Sequence, residues 1–436
     1  MTPPMNRREF LRKTSLAATG VFFIGKSSSF GQGKSPNEKL NIAIIGVANR
    51  AVSNILGVQD QNVVALCDVD QNYLNAAQKR FAGAKAYADF RKLLEQKDVD
   101  AVVISTADHT HAVATVGALQ TGRHVYCEKP LTRTISEARI ISKLAARNKK
   151  LATQMGTQIH AGENYRRVVE LVQAGAIGKV REVHVWVGSV YTAPGRPTET
   201  PPVPGNLNWD LWLGPAPERP YHPDYHPKWW RKYWDFGGGT LADMGCHHID
   251  LSHWALGLRY PLAVETEGPK PNPEATPEWL IARYDYPSVG GRPPVKLTWY
   301  NGERDGKQVL PPHFNNGQLP PWGAGTLFIG DKGMLLADYG KHLLLPEQDF
   351  KDYVTPKRTI PASIGHHAEW VHACKTGGPT TCDFDYAGAL TESVLLGNVA
   401  YRAGKRIEWN PKTLKAKNCP EAEQFIHHKY RRGWSI

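Results

Sequence analysis

From Leu40 onward the chain alternates between short apolar runs and longer segments with helical spacing. The runs are "LNIAIIG", "NVVALCDVD", "DAVVIST" and "HVYCEKP"; helix-compatible segments separate them, one ending at Phe81 and another reading "HAVATVGALQTG". A helix over 136–148 and a strand over 151–154 complete the series. Short apolar runs alternating with helices predict βαβ units around a parallel sheet covered on both faces, because such strands have no solvent side to alternate toward. Residues 38–160 are therefore expected to form a doubly wound parallel sheet.

After residue 160 the pattern changes. "VREVHVWVGSV" (180–190) alternates as a strand with one exposed face should, and "EWLIARYDY", "VKLTWYNG", "GTLFIGDKGMLLADY" and "KHLLLP" follow as further strands. This predicts an α+β half over 161–436, built on a mainly antiparallel open sheet. Two helices, in "IGHHAEWVHACK" and "DFDYAGALTESVLLGNVAYRAG", are expected to close it. No internal repeat is visible.

The length of 436 residues agrees with two or three units of roughly 150 residues each. Of the net charge of +12, Arg7, Arg8, Arg12, Lys13 and Lys26 against Glu9 supply four. The rest is spread along the chain without RNP, helix-turn-helix or zinc-finger spacing, which argues against a nucleic-acid partner. The opening "MNRREFLRKTSLAATGVFFIG" pairs a twin arginine with a short apolar run, the pattern of a twin-arginine export signal, assigned to residues 1–33. That run is too short for a membrane span, and nothing later is apolar enough for one. The expectation is an exported, periplasmic protein that leaves the cytoplasm folded. Six cysteines are too few for a disulfide scaffold; only Cys374 and Cys382, flanking "KTGGPTT", are placed to pair.

Ligands of doubly wound sheets bind at the carboxyl ends of the strands. The first strand ends Gly46-Val47-Ala48-Asn49-Arg50-Ala51, which fits the dinucleotide fingerprint G-x-G-x-x-G/A at its first and third positions and has Ala48 at the second. Asp68 ends the second strand, 22 residues past Gly46, where a carboxylate binds the ribose 2′-hydroxyl and repels a 2′-phosphate. NAD is thus expected rather than NADP. The fourth strand ends Thr106-Ala107-Asp108-His109-Thr110-His111 and the fifth ends Glu128-Lys129-Pro130, so Lys129 is expected beside the nicotinamide, where its ammonium can bond a substrate hydroxyl.

In "GGGTLADMGCHHIDLSHWALG" (237–257), a helix past the glycines puts Asp243, His247, Asp250 and Trp254 on one stripe. A histidine acting as general base and a carboxylate orienting it is one reading. A metal site using Asp243, His247 and Asp250, with His222 and His226 nearby, is another, and a buried structural His–Asp pair a third. His248 and His253 point elsewhere. The proline- and tryptophan-rich stretch 191–236 is expected either to pack its own aromatics as a satellite core or to offer Trp229, Trp230 and Arg231 as a wall for a sugar. The tail "YRRGWSI" suggests no chemistry.

The dinucleotide half followed by Glu128-Lys129-Pro130 resembles the glucose–fructose oxidoreductase / inositol dehydrogenase / rhizopine catabolism (Gfo/Idh/MocA) family, over essentially the whole chain after the export segment. The resemblance implies that Lys129 contacts the reacting hydroxyl and that Asp243 and His247 face it from the second half. It also matches His111 to a histidine near the nicotinamide, with Ala107 where the family has proline. Homodimers or homotetramers built on the open face of the second sheet are implied as well. The expected site therefore comprises Lys129, Asp243 and His247 as catalytic groups, and Gly46, Ala48, Asn49, Arg50, Asp68, Thr106, His111, Glu128 and Lys129 around NAD. Lys129, Trp229, Trp230, Arg231 and His247 are expected around a sugar, polyol or glycoside. Export away from a free NAD pool predicts a cofactor bound throughout the cycle. Two sugars would then react in turn, or transient oxidation would drive glycoside cleavage. A non-catalytic sugar-binding protein is the reading from another class.

Overall fold

The computed structural model describes residues 38–436, and the expected export segment at 1–33 lies outside the described residues. Six strands form the first sheet: β1 (Asn41–Ile45), β2 (Asn62–Cys67), β3 (Lys85–Tyr87), β4 (Ala101–Ile104), β5 (His124–Cys127) and β6 (Thr153–Met155). They run parallel in the order β3-β2-β1-β4-β5-β6. The alternation of side chains sorts each apolar run into two cores. Ala43, Ile45, Val102, Ile104 and Val125 face one, and Ile42, Ile44, Val103 and Tyr126 face the other. Burial on both faces is why these strands read as unbroken apolar runs. Helices α1 (Ala51–Val58), α2 (Gln71–Arg80), α3 (Asp108–Gln120) and α4 (Ile135–Arg147) connect them. Strand order reverses between β1 and β4, which opens a crevice at the carboxyl ends of both.

After α5 (Glu163–Gln173) comes the second sheet. It contains β7 (Val180–Val187), β8 (Ala263–Glu267), β9 (Trp279–Tyr286), β10 (Val295–Arg304), β11 (Lys307–Gln308), β12 (Gly325–Gly330), β13 (Met334–Ala337), β14 (His342–Leu345), β15 (Ile407–Asn410) and β16 (Lys415–Ala416). The order is β14-β13-β12-β7-β10-β9-β8-β15-β16, with β11 paired to β10. β7 and β10 run parallel and the remaining pairs are antiparallel, so the sheet is mainly antiparallel as expected. One expectation needs correcting. Past the exposed Arg181 and Glu182 at its start, β7 has no open face: Trp186 is fully buried, packed with Tyr300, Leu327 and Leu336 under the 305–323 segment, whose Phe314 meets Trp186 edge-on at 5.2 Å.

The inner face of this sheet carries α6 (Gly239–Leu256), and the two closing helices are α7 (His366–Thr376) and α8 (Phe384–Ala403). α6 begins among glycines and ends at Gly257, whose φ of 58° makes the left-handed turn that lets its N–H bond back to His253 and Trp254 carbonyls. α8 packs against both α4 and α6. α7 crosses back to the first sheet, where Trp370 is fully buried and meets Tyr126 at 5.7 Å while His367 stacks on the same ring at 5.0 Å. Gly57 of α1 makes this approach possible, since a Cβ there would lie 2.3 Å from the His367 ring. The last parallel strand ends at Met155, while residues from past 365 complete the core of this sheet. Cys374 and Cys382 do not pair: all six cysteines are buried free thiols. Among the described residues no helix is long and apolar enough to cross a membrane.

Trp370→Ala would leave a large void between α1, α7 and β5, and is expected to destabilise the protein by about 3–5 kcal/mol. Chemical denaturation monitored by far-UV circular dichroism measures this, and a change of a few tenths would show that α7 merely leans on the sheet.

Candidate active site

The turn after β1 is built for close approach. Gly46 has φ of 81°, and a Cβ on it would sit 2.8 Å from the Ser105 carbonyl oxygen at the end of β4, so no other residue fits. Asn49 takes φ of 54°, a left-handed conformation that asparagine tolerates better than most side chains. The Ala48 carbonyl accepts the Ala51 N–H at 3.0 Å, which starts α1. Asp68 accepts the N–H groups of Val47 and Asp70, both at 3.0 Å, and so ties the end of β2 to this turn. Burial pushes its carboxyl up to about 6 against those two bonds. A donor such as a ribose hydroxyl would favour the ionised form.

Gly46, Ala48, Asn49, Arg50, Asp68 and Thr106 line one cavity of about 330 Å³. A left-handed glycine against the neighbouring strand, a carboxylate at the end of β2 and a groove along the strand ends fit a dinucleotide such as NAD. Glu128 and His111 stand behind this surface. Glu128 Oε1 accepts from Arg50 Nε (2.9 Å), Asn54 Nδ2 (3.0 Å) and Gln158 Nε2 (3.2 Å), which bolts α1 to the end of β5. The buried ring of His111 spans the carbonyls of Pro130 (2.8 Å) and Thr106 (3.1 Å), fixing the β4 and β5 ends relative to each other.

Lys129 points across to the second half, where its Nζ lies 2.5 Å from Asp243 Oδ1 and 3.2 Å from the Asp243 carbonyl. Arg231 Nε donates to the same Oδ1 at 2.8 Å, with its guanidinium 4.0 Å over the Trp230 ring. Burial alone would raise the Asp243 carboxyl, but the two cations outweigh it and hold the group well below the usual carboxylate range. His247, one turn on, is held by another partner, while the cations from β5 and the 191–236 segment take the Asp243 carboxylate. Its Nδ1 lies 3.2 Å from Thr157 Oγ1, whose own hydrogen goes to the Cys246 carbonyl at 2.8 Å. Thr157 must then accept from Nδ1–H, which leaves Nε2 with its lone pair. Burial, with the Lys129 charge adding to it, lowers the imidazole pKa far enough to keep it neutral. The arrangement supplies one ammonium donor and one neutral base.

The rest of the α6 stripe serves the fold. Asp250 accepts from His160 Nδ1 (2.9 Å) and the Tyr386 hydroxyl (2.6 Å), and Trp254 stacks on His160 at 4.0 Å. His248 and His253 bond the hydroxyls of Tyr339 (2.7 Å) and Tyr286 (2.9 Å). Among the described residues no three His, Cys, Asp or Glu side chains are arranged to hold a metal. His226 lies 3.4 Å from Asp70, and His222 receives the Asp224 N–H at 3.1 Å.

The 191–236 segment is both a satellite core and a roof. Leu207, Trp212, Tyr225, Trp230, Tyr233 and Phe236 pack together. Its backbone pairs with the end of β2, through Gln71 N–H to Asn206 O (2.8 Å) and Asn208 N–H to Val69 O (2.9 Å). Leu211, Trp212, Pro227, Trp230 and Arg231 then face into the dinucleotide groove. Trp229, by contrast, is 38% exposed between Lys228 and Lys232.

Two residues escaped sequence reasoning. Trp434, in the unpromising tail, lines the groove. Asp108, passed over inside the Thr106–His111 segment, is 1% exposed, and both carboxylate oxygens lack a hydrogen-bond partner. Burial raises it from 3.8 to about 8, against the pull of Arg231 and Lys129. Its position, one residue inside α3 at a strand end, was the signal available.

Asp68→Ala is expected to weaken NAD binding about 10- to 100-fold, the worth of a charge-assisted hydrogen bond, and to narrow the preference over NADP; titration calorimetry with both dinucleotides measures this. Folded Asp108 keeps its proton up to about pH 8 while the unfolded chain releases it near 3.8, so its contribution to stability is complete below that value and is lost as the pH rises through the window. Asp108→Asn should flatten the fall of Tm across it, and an unchanged slope would mean that other groups cause the fall.

An oxidoreductase-family model for the NAD-binding Rossmann fold matches residues 40–156, and the same family's C-terminal alpha/beta domain matches residues 168–291. An inositol 2-dehydrogenase of Salmonella paratyphi B is 30% identical over 153 residues, 33% of this chain and 45% of that protein. A glycosyl hydrolase family 109 protein of Solibacter usitatus is 30% identical over 196 residues, 40% of this chain and 44% of that protein. The chain thus spans less than half the length of these curated relatives. The crystal structure of the WlbA dehydrogenase from Bordetella pertussis, in complex with NADH and UDP-GlcNAcA, aligns with a TM-score of 0.61 at 16% identity, covering 86% of this chain and 98% of that one, a likeness of fold. Two halves of one family, matched in order along a single chain, lead to one conclusion: this protein belongs to the Gfo/Idh/MocA oxidoreductase family.

Proposed function

We propose that the protein is an NAD-dependent oxidoreductase acting on a secondary hydroxyl of a sugar, polyol or glycoside. The observation that carries this reading is the Lys129 ammonium, held at the end of β5 by Asp243, with the neutral imidazole of His247 one turn away on α6. Bound along the strand ends, NAD supplies the hydride acceptor for the carbinol carbon. Lys129 donates a hydrogen bond to the substrate oxygen and makes its hydroxyl more acidic. His247 Nε2 takes that proton, and the imidazolium so formed is stabilised by the ionised Asp243. Arg231 keeps Asp243 ionised through both states.

The roof over the groove supports a cofactor that stays bound between turnovers, and the twin-arginine segment supports export to a compartment where such retention is needed. The likeness to a family 109 glycosyl hydrolase supports a second reading of the same groups. An oxidised ring carbon acidifies its neighbour's C–H, a base removes that proton, the aglycone is eliminated, water adds and the hydride returns.

Heat-denatured, desalted protein is expected to release NAD or NADH in stoichiometric amount by mass spectrometry; protein empty of nucleotide would remove retention from the proposal. Lys129→Met should lower turnover on a responsive sugar by about 10²- to 10⁴-fold while leaving the released nucleotide unchanged. An unaltered rate would take Lys129 out of the chemistry.

A further inference from the structure

Residues 428–431 are fastened firmly to the elements around them. Arg431 donates to Asp210 Oδ1 (2.5 Å), to the Asp210 carbonyl (2.7 Å) and to the Gly214 carbonyl (3.0 Å), and its own N–H meets Pro215 O at 3.1 Å. His428 lies 3.0 Å from Pro215 O, and the Tyr430 hydroxyl donates to Glu137 at 2.8 Å. These bonds clamp residues 428–431 to the roof segment and to α4. They deliver the half-buried Trp434 to the mouth of the groove, its ring 5.9 Å from that of Phe90 and 4.4 Å from the Arg91 guanidinium carbon.

That mouth is the adenosine end. Asp68 closes β2 there, and Ala88, Asp89 and Phe90, which follow β3, line the same wall with Tyr73 and Trp434. The Arg91 guanidinium is bonded to Asp89 at 2.7 Å and 3.0 Å, so the carboxylates of Asp68 and Asp89 belong to this wall and the Arg91 cation beside it is already engaged. The surroundings suit a flat, uncharged aromatic base joined to an unphosphorylated ribose.

Resting on the reading of the groove as an NAD site, we infer that residues 427–436 form a clasp on the adenosine end, with Trp434 packing against the adenine, so that the segment must lift before the cofactor leaves. Base–aromatic stacking of this kind is sequence-tolerant, and only the π face matters. A phenyl ring should therefore serve where an alanine cannot.

The test follows NADH release from the loaded full-length protein by fluorescence, after a chase with excess NAD, in wild type, Trp434→Ala and Trp434→Phe. Trp434→Ala is expected to speed release by about tenfold or more, with Trp434→Phe recovering most of the loss. Nicotinamide mononucleotide, which lacks the adenosine, should bind all three proteins equally. Equal NADH release from wild type and Trp434→Ala overturns the clasp, as does a loss of mononucleotide affinity matching the loss for NADH. Wild type that releases NADH quickly, with Trp434→Ala faster still, upholds the clasp while removing cofactor retention. Wild type that binds no NADH overturns both.

Discussion

Lys129 and Asp243 meet at 2.5 Å with side chains 9% and 5% exposed, and neither ion would be stable there alone. Removing one partner of such a buried pair typically costs about 3–5 kcal/mol, because the other is left without solvent or counter-ion. Arg231 adds a second cation to the same carboxylate, so three segments are held to one atom: the end of β5, helix α6 and the roof. The groups around this atom also explain one another. Two cations on one carboxylate leave a positive excess, which the nearby Asp108 does not offset, because burial keeps its carboxyl protonated and neutral. Burial, with the Lys129 charge adding to it, discourages protonation of His247, which keeps it a base.

The roof changes what these charges are worth. An open crevice at strand ends would be filled with water, which weakens ionic contacts several-fold relative to an enclosed site. Trp212, Trp230 and Pro227 over the groove replace that water with apolar surface, and the aromatic packing within 191–236 keeps this irregular segment in place. Proline and tryptophan density in that stretch therefore belongs to the electrostatics of the site as much as to the packing of a loop.

The parallel sheet and the strand-end residues were legible because burial on both faces leaves unbroken apolar runs and because the fingerprint turn requires Gly46 and Asp68 at fixed places. Lys129, Asp243 and His247 were legible as positions, since strand ends and helical spacing fix where side chains start. Their partners were not. Arg231 reaches Asp243 from an irregular segment, where no periodicity says which way a side chain points. Asp250 shares the helical stripe of Asp243 yet turns to His160, a choice made by what packs opposite. The outer face of β7 read as exposed because the 305–323 cover is itself irregular and comes more than a hundred residues later. Trp434 and Asp108 fall in the same class, since their roles depend on surfaces folded from elsewhere.

The return of α7 to the first sheet has a bearing on how the chain is made. Tyr126 waits for Trp370 and His367, which come more than two hundred residues later, so one face of the nucleotide half stays unfinished until they have been synthesised. Contacts of such long sequence separation slow folding, because the loop between them must close before they can form. A nascent chain that has not yet reached Trp370 would thus carry an incomplete first sheet.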